Sequence, residues 1–477
     1  MIEGYIPKEQ RKKILLLTDD IRLQSGVGNV GKELVLNTAH RYNWINLGAA
    51  INHPDKGKRF DLSEEISKLK GIEDPYVHVI PNDGGYGEPT LVKHLIKHEK
   101  IDAIFLITDP RYFTWLFQIE NEIRKKTPII YLNIWDDYPA PMYNQAFYES
   151  CDALLGISKQ TVNINKLVLG KKAEGKVIEY VPHGMNDKMF YPVDENNKDY
   201  QSFKKQALGN KEAEFVLFFN SRNIRRKSIP DTLLAWKYFI DQLPKEKADK
   251  CYFVLHTELV SDAGTDLSAV SQYLFGRDYK NIIFSTSKIN ANQLNYFYNM
   301  ADAQILLTSN EGWGLALTEA MLAGTPIIAN VTGGMQDQMR FEDENGNWIN
   351  FDADFPSNHT GKYKKCGKWA FPVFPSNRSL TGSPPTPYIW DDRCNPEDAT
   401  AKIMELYNMT REERKALGKA GREWATSDEA GFTAEKMAQR AIKYIDQTFE
   451  TFKPRAKYEF INVNTVEEKK LPHKLLY

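Results

Sequence analysis

Two carboxylates, Glu311 and Glu319, flank a glycine-bearing turn in SNEGWGLALTEAMLAGTP, and seven residues separate them. Gly312 and Gly314 let a ligand come close to the backbone. A helical run from about Leu315 to Ala323 follows, with Gly324 as a stop and Pro326 ahead of an apolar strand. A helix starting after Gly314 leaves free N–H groups between Leu315 and Thr318, and such groups suit a phosphate. Between Ser309 and Asn330 there is no Lys or Arg, so this is not a Walker loop. Carboxylates repel phosphate but accept hydrogen bonds from hydroxyls. A ligand with phosphate in its middle and hydroxyls at both ends fits this layout, as a sugar nucleotide does.

Cations for such a phosphate come from FFNSRNIRRKSIP, at the end of another apolar strand. Arg222 and Lys227 are the candidates, with Arg225 and Arg226 as substitutes. Two fixed cations would stabilise the charge that builds on a departing diphosphate without a metal. In YLNIWDDYP, Asp136 is the first candidate to accept a proton from an acceptor hydroxyl or to bind sugar hydroxyls. Asp137 is second and Asp109 weaker, and the Asp pair is equally suited to capping a turn before Pro139. Gly26, Gly28 and Gly31 form a G-x-G-x-x-G turn after the first strand. A dinucleotide site would also want an acidic residue about 20 positions on, and WINLGAAINHP offers none. His183 and Gly184 stand in VPHGMN, where the glycine permits close approach and the histidine is not assigned as a base.

The elements that must hold these residues fall into two series. KKILLLTDD, IDAIFLITDP, PIIYLNIWDD, CDALLGIS and VIEYVPH alternate with helical patterns, which implies βαβ units and a parallel sheet. A second series runs from EFVLFFN through CYFVLHTEL, NIIFSTSKI and AQILLTSN to TPIIANV. In such sheets ligands bind beyond the carboxyl ends of the strands, where the Asp and Gly candidates lie. The expected boundaries are 1–191 for a first Rossmann-like, acceptor-side domain and 192–213 for a polar linker. A donor-binding domain at 214–430 would carry an irregular insertion at about 345–395. A helix returning to the first domain, plus a tail, would fill 431–477.

Composition narrows the class. Charges balance at 62 basic and 63 acidic residues, which gives no global electrostatic argument for nucleic acid. No apolar run approaches a membrane span, and the apolar run Ile14–Leu17 is too short for a signal-peptide core. Four scattered cysteines without a CxxC pair indicate neither zinc nor a disulfide framework. A cytoplasmic location is the expectation. A metal clip of His359, Cys366 and Cys394 is disfavoured by irregular spacing.

The Glu311–Glu319 segment resembles the signature of retaining glycosyltransferases of family 4. That resemblance implies a GT-B fold, two Rossmann-like α/β domains facing across a cleft. It covers roughly residues 12–340 and is strongest from Val216 to Met339. By it, Glu311 faces the donor sugar, Glu319 binds the ribose, and Arg222 and Lys227 hold the diphosphate. Ser221 and Ser228 stand where the family has glycines. Gly333 and Gly334 also recur in the family near the donor. The implied activity is transfer of a sugar from a nucleoside-diphosphate sugar to an acceptor hydroxyl, with retention, no cofactor and no metal. The acceptor is open: a glycan, a small molecule or modified DNA. The 345–395 segment loosely resembles phage glycosyltransferases, some of which decorate hydroxymethylated bases. Nucleotide-sugar epimerases and sugar phosphorylases share the fold and stay as alternatives.

Overall fold

The computed structural model describes residues 4–456 apart from 50–53, 55, 83, 210, 211 and 278. The expected tail at 457–477 therefore lies outside the described residues.

Eight strands build the first sheet: β1 (Lys12–Asp19), β2 (Tyr42–Ala49), β3 (Phe60–Asp61), β4 (Val77–Pro81), β5 (Ala103–Ile107), β6 (Ile129–Asn133), β7 (Ala153–Gly156) and β8 (Val177–Tyr180). Their order is β3-β4-β2-β1-β5-β6-β7-β8, and only the β3–β4 pair is antiparallel. Runs such as Ile14–Leu17 are apolar on both faces because helices cover both sides of a parallel sheet. Leu15 and Leu17 pack into one core cluster, Ile14 and Leu16 into the other.

The second sheet holds β9 (Phe215–Asn220), β10 (Cys251–His256), β11 (Ile282–Ser285), β12 (Ala303–Leu306), β13 (Ile327–Asn330) and β14 (Ala370–Val373). Its order is β11-β10-β9-β12-β13-β14, parallel throughout. Each sheet has one strand from which the chain first builds outward on one side and then returns to build on the other. That strand is β1, paired with β2 and β5, and β9, paired with β10 and β12. The loops leaving β1 and β5, and those leaving β9 and β12, diverge there and open a crevice. The glycine turn and Asp109 follow the first pair. Arg222–Lys227 and Glu311 follow the second.

Two expectations need correction. The 345–395 stretch is not uniformly irregular. Ala370–Val373 is the edge strand of the second sheet, and β15 (Asn377–Ser383) pairs antiparallel with β16 (Thr386–Arg393) in a separate hairpin. The 192–213 stretch is not a bare linker either. It holds the helix Lys198–Ala207, whose Tyr200 is buried and donates its hydroxyl to the Asn299 carbonyl at 3.0 Å. Phe203 packs beside it on Phe297, ring centroids 4.8 Å apart, so two aromatic anchors dock an otherwise polar helix, and that polarity hid it.

The C-terminal helix Ala434–Thr451 lies on the helix Gly26–Thr38 beside the first sheet. Its Asp446 accepts from Tyr42 Oη at 2.6 Å and from Arg41 Nη2 at 2.5 Å. The two domains also meet directly, through helices and loops. Lys159 N–H donates to Asp337 at 2.9 Å, Gln336 Nε2 to Gln160 at 2.9 Å, and Asn163 Nδ2 to the Asp352 carbonyl at 2.9 Å. No helix among the described residues is long and apolar enough to cross a membrane.

Candidate active site

The loop after β12 reaches the cleft at Glu311 and turns at Gly314, whose φ of +88° suits glycine. The helix Leu315–Ala323 follows, buried from Leu317 onward, and Gly324 at φ +82° ends it. Leu317 N–H already bonds the Gly314 carbonyl at 2.9 Å. Among the described residues, no partner is seen for the N–H groups of Leu315 and Ala316. Both are candidate donors to a phosphate. The side chain of Thr318 adds no free hydroxyl to them. It is fully buried, accepts from Trp313 Nε1 at 3.0 Å and donates to Gln338 at 2.8 Å. Its place is in the packing beneath the loop.

Glu311 is met by two cations. Arg226 Nη1 donates to its Oε2 at 2.8 Å and to the Asn310 carbonyl at 2.7 Å. Lys227 Nζ donates to the same Oε2. Burial pushes the Glu311 carboxyl up, but Arg226 and Lys227 outweigh it and hold its pKa at about 2. Burial lowers the Lys227 ammonium, and Glu311 draws it back toward the charged form. Arg222 is exposed and takes no part in this cluster. Arg226, not Arg222, is thus the arginine that grips Glu311. The short 3₁₀ turn Arg225–Lys227 aims both Arg226 and Lys227 at the β12 loop, and Ser228 at φ +49° closes it. Glycines would suit that backbone better.

Glu319 has a different environment. It is 8% exposed and receives the Tyr298 hydroxyl at 2.5 Å and, at 3.5 Å, Asn220 Nδ2. Among the described residues no cation faces it, so burial raises its pKa to about 7 against the Tyr298 bond. Its Oε1 carries no bond among the described residues, which leaves one carboxylate edge for a ligand. Tyr298 and Asn220 had no signal in the sequence. They arrive from the helix Ala291–Met300 and from the end of β9.

On the first-domain side, Asp136 is half-buried and sits in the field of Arg226. Burial raises its pKa, while Arg226 lowers it and Glu311 adds to the rise. Asp137 lies away from solvent. Its Oδ1 accepts from Tyr138 N–H at 2.7 Å and from Gln160 at 3.2 Å, and its Oδ2 lies 2.9 Å from Thr332 Oγ1. It is therefore not open to a ligand. Asp109 caps its own turn and is bound by Arg111. His183 is buried, edge-on to Trp313 at 6.3 Å, and burial depresses its pKa to about 3, so it is neutral at neutral pH.

The glycine turn after β1 is shaped by its own contacts. Ser25 Oγ accepts the Gly28 N–H at 2.9 Å and donates to Asp19 at 2.5 Å. A Cβ at Gly28 would meet Ser25 Oγ at 2.8 Å and the Asp20 carbonyl at 3.2 Å. Gly28 is thus explained by the turn's own packing, and its amide is occupied. Gly26 stands against Leu315, where a Cβ would lie 3.4 Å from Leu315 Cδ1, so this turn abuts the motif helix across the cleft. Gly312 needs its hydrogen because a Cβ would come within 2.6 Å of the Ile134 carbonyl. Gly333, at φ +52°, is hemmed in by the Glu311 and Asp136 carbonyls, and Gly334 N–H bonds the Glu311 carbonyl at 3.0 Å. The structure thus brings Glu311, Lys227, Arg226 and Asp136 together, with Glu319 one helix turn-run behind them. Arg222 stays at the rim.

Among the described residues, no group of three or more His, Cys, Asp or Glu is placed to hold a metal. His359 Nε2 instead contacts Arg378 at 2.9 Å.

Comparison with known proteins agrees with this geometry. Residues 201–354 match the family of glycosyl transferases group 1, so the β9–β12 crevice and the Glu311–Glu319 unit fall inside the matched domain. A 148-residue stretch is 26% identical to alpha-monoglucosyldiacylglycerol synthase of Acholeplasma laidlawii, covering 31% of this chain. The chain spans about a third (34%) of the length of that curated relative. Sucrose-phosphate synthase of Thermosynechococcus elongatus superposes with a TM-score of 0.63 at 16% identity, over 92% of this chain and 100% of that one. An Anabaena protein solved with UDP and glucose gives 0.61 at 12% identity, over 92% and 100%. Trehalose 6-phosphate synthase of Burkholderia multivorans gives 0.61 at 12% identity, over 92% and 98%. At such identities these likenesses show the fold alone. The fold is GT-B, two Rossmann-like domains facing across a cleft.

Proposed function

We propose that this chain is a retaining glycosyltransferase of the family 4 type, which moves a sugar from a nucleoside-diphosphate sugar to an acceptor hydroxyl. The observation that carries the reading is the contrast between the two glutamates. Glu311 is ionised and gripped by two cations, while Glu319 keeps a free carboxylate edge with no cation near it among the described residues. Between them lie the unpartnered Leu315 and Ala316 N–H groups. Hydroxyl, phosphate and hydroxyl sites therefore succeed one another along one loop and one helix, as a sugar nucleotide requires. A neighbour of the same fold was solved with UDP-glucose, which agrees with that ligand class.

In this reading Glu319 accepts the two ribose hydroxyls. The diphosphate rests on Leu315 and Ala316 N–H, with Lys227 and the exposed Arg222 closing on it. Glu311, kept in place by Arg226, faces the donor sugar. As the anomeric C–O bond to phosphate breaks, these cations and N–H groups stabilise the charge growing on the leaving oxygen. The acceptor oxygen forms its bond on the same face, and its proton passes to the departing phosphate oxygen. Asp136 orients the acceptor hydroxyl.

A panel of nucleoside-diphosphate sugars tests this. At least one should raise the melting temperature and release its nucleoside diphosphate faster when a hydroxyl acceptor is added. Absence of both effects across the panel overturns the reading. Release of free sugar phosphate instead would point to a phosphorylase.

A further inference from the structure

The β15–β16 hairpin does not belong to either sheet, yet it touches both domains. On the first domain, Trp390 N–H donates to the Tyr138 carbonyl at 2.8 Å, Tyr143 Oη to the Tyr388 carbonyl at 2.9 Å, and Arg111 to Thr386. On the second, Asp392 N–H donates to the Ser309 carbonyl at 2.9 Å, and Asn330 Nδ2 to the Asp392 carbonyl at 2.6 Å. Asp391 accepts from Ser309 Oγ at 3.1 Å and from Asn310 Nδ2 at 2.8 Å. Ser309 and Asn310 immediately precede Glu311. Tyr138 follows Asp136 and Asp137. One hairpin thus grips both loops that bring acidic groups to the cleft.

At the centre of this grip is a problem of proton counting. Thr332 Oγ1 lies 2.9 Å from Asp137 Oδ2 and 2.8 Å from Asp392 Oδ2. All three residues are fully buried. A hydroxyl has one hydrogen to donate, and ionised carboxylates only accept. Two ionised carboxylates cannot both be satisfied by Thr332, so one carries a proton and donates it to the Thr332 oxygen. Arg378 Nε donates to Asp392 Oδ1 at 2.7 Å, and its Nη2 reaches Oδ2 at 3.3 Å. Asp392 is therefore the ionised partner. Among the described residues, Asp137 has only the neutral donors Tyr138 N–H and Gln160 on its other oxygen.

We propose that Asp137, Thr332 and Asp392 form a proton-sharing chain that clamps the hairpin to both domains, making them positioning residues for Glu311 and Asp136. The proton sits on Asp137 Oδ2 and points to Thr332, whose own hydrogen points to Asp392. Burial, with Asp392 next, pushes the Asp137 carboxyl well above the usual range, as this arrangement requires. Its surroundings are accounted for on every side. Gln160 faces it from the helix Lys159–Leu169, Asp392 from β16 and Arg378 from β15, with His359 behind Arg378. Asp136 and Tyr138 adjoin it in its own loop.

A carboxyl with a raised pKa in the folded state contributes stability that is present at low pH and lost as pH rises through the raised value. Wild type should therefore lose stability with rising pH above the ordinary carboxylate range. Asp137→Asn replaces the protonated acid by an amide that donates to Thr332 in the same way. It should keep the melting temperature at pH 7 and remove this part of the pH slope, read as the difference between the two curves from pH 4 to 9. Asp392→Asn should lower the melting temperature across the whole range, because half-buried Arg378 loses its counter-charge. The effect on turnover rests on the transferase reading above. Thr332→Val should lower kcat on the order of 100-fold with KM for the donor little changed, since small misplacements of reacting groups cost that much. Thr332→Ser should restore it. The proposal is overturned if Asp137→Asn is as damaging at pH 7 as Asp392→Asn, or if its pH slope equals that of wild type. Should no variant and no wild type transfer sugar, the transferase reading fails, while the melting curves still decide the clamp.

Discussion

Glu311→Gln keeps the shape of the side chain at the centre of the cleft and removes its charge. The structure sets the size of the consequence. In the folded protein the Glu311 pKa falls from 4.5 to about 2. At about 1.4 kcal/mol per unit, its charged form is favoured by about 3 kcal/mol relative to the unfolded chain. Solvent screening removes little of this on the Lys227 side, where side-chain exposures are 9% and 13%. It removes more for Arg226, which is 35% exposed. Breaking a buried pair by taking one partner away costs about 3–5 kcal/mol, because the other charge stays buried. Denaturant unfolding at pH 7 should thus place Glu311→Gln about 3 kcal/mol below wild type. A depressed carboxyl pKa contributes stability that is present above 4.5 and lost as pH falls toward about 2. The gap between wild type and variant should therefore be full at pH 7 and close progressively below pH 4.5. Equal stability at pH 7, or a gap unchanged at pH 3, would refute the ion-pair account of this residue.

Glu319→Ala should weaken donor binding, each lost charge-assisted bond being worth about 1.5–3 kcal/mol. With the Glu319 pKa at about 7, donor affinity in wild type should rise with pH through that value, and titration calorimetry from pH 6 to 8 would show it or not. Arg222→Ala should cut donor affinity and turnover and leave the melting temperature unchanged, because the side chain is exposed. Arg226→Ala should lower the melting temperature, because it strips a counter-charge from half-buried Glu311; equal behaviour of the two in both assays would merge roles that the structure separates. Transfer should survive a chelator, since Lys227, Arg222 and two N–H groups supply the positive charge; loss restored by Mg²⁺ or Mn²⁺ would overturn that.

What the sequence determined by itself is the local part. Strands apolar on both faces and alternating with amphipathic helices specify parallel sheets, because only helices on both sides can bury such strands. Gly314 and Gly324 bracket the motif helix because left-handed backbone is needed at each end, and the spacing of Glu311 and Glu319 follows from one loop and one helix. Tertiary structure decided the long-range pairings. Four cationic side chains lie between Arg222 and Lys227, and no local rule says which reach Glu311, more than eighty residues on. The 3₁₀ turn decides that, by aiming Arg226 and Lys227 inward and leaving Arg222 outside. The Thr318 hydroxyl is taken up by Trp313 and Gln338, partners that no local pattern names. Asp137, Thr332 and Asp392 have no mutual signal in a linear chain, because they meet only when two domains and a hairpin pack together. Periodicity reports the burial of a face, but a shared proton or a bridging ion pair depends on which distant atoms come within hydrogen-bonding distance, and only packing sets that.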